Sequence, residues 1–369
     1  MPRTITAAVT HEAGAPFALE PVELADPGPG EVLVEIRAIG ICHTDIAARD
    51  GIFGLPYPMV LGHEGSGVIA QVGADVSSVA VGDHVALSFD SCGHCGPCEK
   101  DHPAYCGQFP ARNYGGRRPD GSTTTTQDGR DVTASFFGQS SFATHAIATE
   151  RNVVKVDRDL PLELLGPLGC GIQTGAGAVF NSLDCPTGSS LLVVGAGPVG
   201  LAAVMAAKVR GCAAIIVSEP SADRRALALK LGATDVLDPR DGDLADQVRT
   251  HLSDGVDYAF DTSGSVPVIE SIIGTLAAGG TLGLVGVPGD FSASMALPLI
   301  PAMAGGLTVK GITEGDSDPQ TFIPELLKLY RDGRFPFADL ITTFPFSAIN
   351  EAVEAQHRGE ATKVVLVHD

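Results

Sequence analysis

Along the first ninety residues, apolar and polar positions alternate in short runs broken by glycine and proline. The stretch Gly30-Glu31-Val32-Leu33-Val34-Glu35-Ile36-Arg37-Ala38 has the period-two pattern of a half-buried strand. Residues 65–73 and 81–87 repeat it. Many short strands separated by turn signals predict a barrel-like β domain. Residues 112–134 are polar and rich in Gly, Thr and Asp, which predicts a surface loop. Residues 135–147 return to strand character. From about residue 160 the period lengthens, and 160–168 and the glycine-rich 171–183 read as helices. Apolar runs at 190–194, 213–219, 235–237, 258–261 and 280–286 then alternate with helical segments such as 201–208 and 224–231. Strands alternating with helices predict a parallel, doubly wound sheet. Residues 305–369 revert to mixed strand and helix and end in a strand-like 363–367, a tail expected to rejoin the first domain. The expected organisation is 1–170, with a cysteine-rich lobe at 92–106, then 171–304, then 305–369.

Composition narrows the class without naming it. A chain of 369 residues fits about two domains. With 44 acidic against 24 basic residues the net charge is −20, so there is no basic footprint for nucleic acid or an anionic membrane. The N-terminal residues run straight into a strand-like pattern with no long apolar core. The apolar runs at 191–206 and 282–287 are interrupted by glycine and too short to span a bilayer. A cytoplasmic location is expected. There, eight cysteines read as metal ligands or free thiols rather than disulfides.

Three residues far apart in sequence read as the walls of one zinc site: Cys42 in Gly40-Ile41-Cys42-His43-Thr44-Asp45, His63 in Gly62-His63-Glu64, and Cys170 in Gly169-Cys170-Gly171. Zinc accepts two thiolates and an imidazole tetrahedrally, and three protein ligands leave a position open for chemistry. Cys92, Cys95, Cys98 and Cys106 form a second set, which is closed and therefore structural. Pairwise disulfides, or a thiol-redox use of Cys95-Gly96-Pro97-Cys98, are the competing readings. His94 and His102 are expected at the surface, and Cys185 and Cys212 as buried thiols without partners. The Gly195-Ala196-Gly197-Pro198-Val199-Gly200 stretch follows an apolar strand and opens a helix. Gly195 makes the tight turn, Gly197 admits a pyrophosphate, and Gly200 lets helix and strand approach. Glu219 lies 219 − 200 = 19 residues beyond Gly200, where a carboxylate accepts hydrogen bonds from ribose hydroxyls and repels a 2′-phosphate. That favours NAD over NADP, softened by Arg224 and Arg225 nearby. An oxygen-polarising metal beside a dinucleotide site points to hydride transfer at an alcohol carbon.

This combination resembles the zinc-dependent medium-chain alcohol dehydrogenases over essentially the whole chain. Within them it is most similar to the bacterial aryl-alcohol (benzyl alcohol) dehydrogenases, on residues 41–45, 169–178 and 311–317. Dehydrogenases of allylic terpene alcohols such as geraniol share similar motifs. The resemblance implies an α/β fold: a Rossmann doubly wound parallel sheet plus a GroES-like β-barrel catalytic domain. It implies two Zn²⁺ per chain, one catalytic and one structural, NAD, and a small-molecule alcohol or aldehyde substrate. By resemblance Thr44 takes the alcohol proton, Asp45 orients His63, Glu64 adjoins the metal, and His43 and Lys363 approach the cofactor phosphates. Thr174 and Val199 flank the nicotinamide, and Phe53, Phe136 and Phe137 wall the substrate pocket, unless they are ordinary core aromatics. Ala47 stands where animal alcohol dehydrogenases have a relay histidine, which leaves the last proton step open. A homodimer or homotetramer is implied, joined through the cofactor domain. The rival of another class is a zinc-binding protein of this fold without turnover.

Overall fold

The period-two segments become antiparallel sheet. In the computed structural model, which describes residues 2–368, the chain opens with β1 (Arg3–Thr10), β2 (Ala18–Leu24), β3 (Glu31–Gly40), α1 (His43–Arg49), β4 (Met59–Val60), β5 (Gly65–Val72) and β6 (His84–Leu87). Then come α2 (Phe109–Asn113), β7 (Thr125–Gln127), β8 (Arg130–Val132), β9 (His145–Thr149) and β10 (Val153–Val156). These strands make two sheets. One has the order β4-β1-β2-β7-β8, and the other runs β10-β6-β5-β3 with β9 also paired to β3. Val32, Val34 and Ile36 of β3 are buried, while Glu31, Glu35 and Arg37 keep partial exposure, as the alternation requires.

The second unit holds α3 (Gly171–Gly177), β11 (Ser190–Val194), α4 (Pro198–Arg210), β12 (Ala214–Ser218), α5 (Ala222–Leu231) and β13 (Asp235–Leu237). It continues with α6 (Leu244–His251), β14 (Val256–Asp261), α7 (Val266–Ile273), β15 (Leu276–Leu284), α8 (Leu299–Gly305) and β16 (Thr308–Gly311). All six strands pair in parallel in the order β13-β12-β11-β14-β15-β16. This is the doubly wound order, in which the direction of winding reverses between β11 and β14 and ligands gather at the strands' carboxyl ends. Every residue of β11 is buried, which explains its unbroken apolar run.

After α9 (Pro319–Arg331) come β17 (Ile341–Pro345), α10 (Ile349–His357) and β18 (Lys363–Val367). β18 slots between β3 and β17 in the sheet of the first unit. The first compact unit therefore runs to Gly171 and regains 318–327 and the chain from Ala338, while the second takes Ile172–Ser317 and Lys328–Phe337.

Three local expectations change. Residues 112–134 are not all loop, because β7 and β8 form a hairpin whose Glu23↔Thr126 pairing extends the sheet at β2. Its turn is Asp128-Gly129, with φ of 50° and 74°, the two positive values that a primed hairpin turn needs. Residues 135–144 are not strand. Ser135, Phe137 and Ser140 have left-handed backbones, with φ of 79°, 50° and 49°, around a short 3₁₀ turn at Phe136–Gly138. Residues 160–168 form two 3₁₀ turns, broken by Pro161 and Pro167, rather than one helix. Among the described residues no helix is long and apolar enough to cross a membrane.

Candidate metal and cofactor sites

Cys42 is the N-cap of α1, where the chain leaves β3. Asp45, one turn on, accepts a hydrogen bond from the Cys42 N–H through Oδ2 at 3.1 Å. Its other oxygen accepts from Gly62 N–H at 3.1 Å and from His63 Nδ1 at 2.7 Å. One fully buried carboxylate thus holds two of the candidate metal ligands. Because an ionised carboxylate can only accept, the His63 proton sits on Nδ1 and the Nε2 lone pair points away. That Nε2 is buried and has no hydrogen-bond partner. It lies in a group with Cys42, Glu64 and Cys170 whose ligand atoms are all within 4.8 Å of one another.

The electrostatics of the group suit a dication. The Cys42 thiol is held well below its usual range, first by hydrogen bonding with Cys170 and then by His63, against the opposing effect of burial. Burial pushes His63 down, but the charge and hydrogen bond of Asp45 outweigh it and hold the imidazole well above its ordinary value. Two soft thiolates and an orphaned imidazole nitrogen, with a carboxylate behind them, match the ligand preferences of zinc. A group so rich in anionic donors would release a proton to bind it.

Glu64 pairs with Lys363 Nζ at 2.5 Å, with both side chains buried. Burial pushes the Glu64 carboxyl up to about 7, with Lys363 pulling it down and Cys42 pushing it up. Lys363 also donates to Ile41 O at 3.0 Å. Lys363, which the resemblance implies approaches the cofactor phosphates, is thus placed with its ammonium against Glu64. Its ammonium is shut in beside the metal ligands, where it balances their charge. No local pattern signals this pairing, which spans 363 − 64 = 299 residues.

Thr44 Oγ1 lies 3.7 Å from Cys42 Sγ on the same helix start. His43 is exposed and Ala47 is buried. Phe137 stacks on the His63 ring at 4.3 Å and 21°, and Phe136 meets its edge at 5.7 Å and 83°. Both phenylalanines are fully buried, so they fix the His63 ring and offer no open wall. The structure places these two in the core against His63. Phe53, packed 4.9 Å from Tyr114 and 6.1 Å from Phe136, keeps some exposed surface.

The four-cysteine lobe closes on itself. Sulfur separations are 3.5 Å for Cys95–Cys98, 3.9 Å for Cys95–Cys106 and 4.0 Å for Cys92–Cys98. A tetrahedron of 2.3 Å zinc–sulfur bonds has edges of about 3.8 Å. A disulfide would need about 2.05 Å. Backbone N–H groups of Cys92, Gly107 and Gln108 point at the sulfurs, as thiolates require. His94 turns away to Cys92 O, and neither His94 nor His102 belongs to the cluster.

In the second unit, the chain passes from β11 through the glycine turn into α4. Gly195 has φ of 96°, and a Cβ on Gly200 would lie 1.9 Å from Gly195 O. Gly197 caps α4 without a side-chain hydrogen bond, and a Cβ there would meet nothing within 4 Å. The first-turn N–H groups and the positive end of the helix dipole thus face open space, which fits a pyrophosphate. Glu219 is buried just beyond β12 and accepts from Ala196 N–H at 2.8 Å and Ser221 N–H at 2.9 Å. The carboxylate is fastened to the turn and retains lone pairs for ribose hydroxyls. Arg225, rather than Arg224, is the neighbouring cation in contact, donating to Glu219 O and pairing with Asp238 at 3.0 Å. Arg224 sits in the first turn of α5, its N–H capped by Ser221. Val199 lies in the first turn of α4. Thr174 donates to the buried carboxylate of Glu314 at 3.3 Å, a partner quoted only as part of a motif in the sequence reading.

Comparison with known proteins adds two family matches. Residues 28–158 match the alcohol dehydrogenase GroES-like domain, and 198–331 match the zinc-binding dehydrogenase domain. A geraniol dehydrogenase from Castellaniella defragrans is 50% identical over 98% of this chain and 97% of its own. A solved zinc-binding alcohol dehydrogenase domain protein from Burkholderia ambifaria superposes with a TM-score of 0.97 at 47% identity, over 100% of this chain and 99% of its own. A benzyl alcohol dehydrogenase from Acinetobacter calcoaceticus gives 0.96 at 41% identity, over the whole of both chains.

Proposed function

Since the chain belongs to the zinc-dependent medium-chain alcohol dehydrogenases, with zinc and NAD as cofactors, we propose that it interconverts benzyl-type primary alcohols and their aldehydes. The observation that carries the chemistry is the Cys42–His63–Cys170 group, with His63 and Cys170 buried and Cys42 half-buried, and the Thr44 hydroxyl beside it. Zinc, when held there, supplies a Lewis acid that acidifies an alcohol hydroxyl, and NAD supplies the hydride acceptor. Thr44 would take the hydroxyl proton at Oγ1 and hand it outward, since Ala47 has no acceptor to offer. Asp45 keeps Nδ1 protonated so that Nε2 remains a ligand. Glu64 and Lys363 balance charge behind the site. The closed four-cysteine set holds a second, structural zinc. The glycine turn binds the pyrophosphate and Glu219 the adenosine ribose.

Geraniol and benzyl alcohol share one feature: the carbinol carbon adjoins an unsaturated carbon, so the product carbonyl is conjugated and hydride leaves more readily. The partly exposed Phe53 supplies a flat apolar surface for such a group. A second reading, an allylic terpene alcohol as the preferred substrate, is favoured by the 50% identity to the geraniol enzyme. We also propose that copies of the chain pair. β16 is an unpaired sheet edge, and Phe291, Leu299, Ile300 and Met303 are exposed in the same unit.

NAD reduction measured with benzyl alcohol, geraniol, ethanol and cyclohexanol, with zinc counted on the same sample, tests the reading. We expect two zincs and a kcat/KM for benzyl alcohol at least about tenfold above ethanol, equivalent to 1.4 kcal/mol of discrimination. Geraniol outrunning benzyl alcohol would move the assignment to terpene alcohols. Two zincs with no turnover of any alcohol would sink the catalytic reading.

A further inference from the structure

The six cysteines of the two metal groups leave Cys185 and Cys212, in the cofactor unit. The structure brings them together. Cys185 lies in the connection before β11, and Cys212 in the connection after α4. The two connections are tied by backbone hydrogen bonds, Gly188 N–H to Gly211 O and Ala213 N–H to Ser189 O, both 2.8 Å. Ser189 Oγ stands 3.5 Å from Cys212 Sγ, and each thiol is the other's leading electrostatic neighbour. Cys185 is fully buried and Cys212 partly exposed.

We propose that Cys185 and Cys212 form an oxidisable thiol pair, which a hydroperoxide converts to a disulfide bracketing the strand and helix that carry the cofactor turn. The roles divide by environment. The hydrogen bond from Cys185 holds Cys212 down at about 6, helped by Ser189 and by the charge of Arg210, against burial. The same hydrogen bond, with burial, pushes the Cys185 thiol far up. Exposure then assigns the roles: Cys212, partly exposed, meets the peroxide, and the fully buried Cys185 resolves the product, since accessibility separates reactive cysteines from inert buried ones. Arg210 stays near Cys212 because Asp184 and Phe180 O hold its guanidinium, at 2.5 and 2.6 Å.

The chemistry balances in two steps. The Cys212 thiolate attacks one oxygen of the hydroperoxide and breaks the O–O bond, giving a sulfenic acid and releasing hydroxide or alkoxide. Cys185 sulfur then attacks Cys212 sulfur, the S–O bond breaks, and the Cys185 proton leaves with the departing hydroxide as water. The two thiols supply two electrons, and the peroxide accepts them.

The test uses the zinc-loaded enzyme and one equivalent of hydrogen peroxide, followed by intact mass, zinc count and peptide mapping without reduction. We expect a mass loss of about 2 Da, a Cys185–Cys212 cross-linked peptide and no change in zinc. In Cys212→Ser the mass loss should vanish. In Cys185→Ser oxidation should stop at Cys212 as a sulfenic acid that dimedone traps. Alkylation of Cys212 by iodoacetamide should be half-maximal near pH 6, well below the range of an ordinary thiol. Oxidation falling first on the metal-binding cysteines with zinc release, or no 185–212 cross-link in the wild type, would overturn the proposal.

Discussion

Asp45→Asn is the sharpest probe of the catalytic metal group. The carboxylate accepts three hydrogen bonds, from Cys42 N–H at 3.1 Å, Gly62 N–H at 3.1 Å and His63 Nδ1–H at 2.7 Å, with no solvent exposure. An amide of the same shape has one oxygen. If that oxygen keeps His63 and Gly62, the new NH₂ faces the Cys42 N–H, donor against donor. If it turns round, the NH₂ faces the His63 proton instead. Either way a buried donor loses its acceptor, at a cost of about 1–3 kcal/mol. The charge that keeps Nε2 basic is lost as well. Partners that orient a ligating histidine are typically worth about 10–100-fold in metal affinity, or about 1.4–2.8 kcal/mol. Zinc retention against a chromophoric chelator measures this directly, with circular dichroism to show that the fold survives. The variant should give up one zinc 10–100-fold more readily than wild type and keep the other unchanged, since the four-cysteine lobe makes no contact with Asp45. Retention of both zincs within about threefold of wild type, on the same affinity scale, would refute the argument.

Other substitutions test neighbouring links. Thr44→Val should lower kcat by about 10²–10⁴, the usual worth of a positioned proton acceptor, while Thr44→Ser retains most activity. Steady-state rates with saturating alcohol read the difference, and an unimpaired valine variant would remove Thr44 from the relay. Glu219→Gln keeps hydrogen-bonding shape but not charge, so the ratio of kcat/KM for NADP over NAD should rise at least about tenfold, and an unchanged ratio would count against the ribose assignment. Lys363→Met strands the buried Glu64 carboxylate, which should cost about 3–5 kcal/mol in urea unfolding, and adding Glu64→Gln should restore most of it. A loss under about 1 kcal/mol in the single variant would show that the pair carries little charge.

What was legible depended on how locally each feature is encoded. The glycine turn, its strand and its acid all fall within 190–219 and follow from spacing and period alone. Cys42 at a strand-to-helix junction was equally local. The hairpin at β7–β8 carried its signal in Asp128-Gly129, but three-residue strands rich in threonine do not display a period. The left-handed turn at 135–140 was hidden because its residues are serine and phenylalanine, types that give no hint of positive φ. The pairs Lys363 with Glu64, Phe137 with His63 and Cys185 with Cys212 join segments that meet only through the fold. Buried lysine and paired thiols look like any other lysine or cysteine until their neighbours are known.

The insertion of β18 between β3 and β17 has a consequence for biosynthesis. Glu64 is made 299 residues before Lys363, and the whole parallel-sheet unit is translated in between. The four-cysteine lobe and the cofactor sheet are complete, each within its own stretch of chain, long before β18 emerges. The catalytic sheet is not, because β3 lacks its neighbour and the buried carboxylate beside the metal ligands lacks its counter-charge until residue 363 arrives. On the ribosome the growing chain thus emerges with its four-cysteine lobe and its nucleotide-binding sheet complete before the sheet beside Cys42 and His63 gains its last strands.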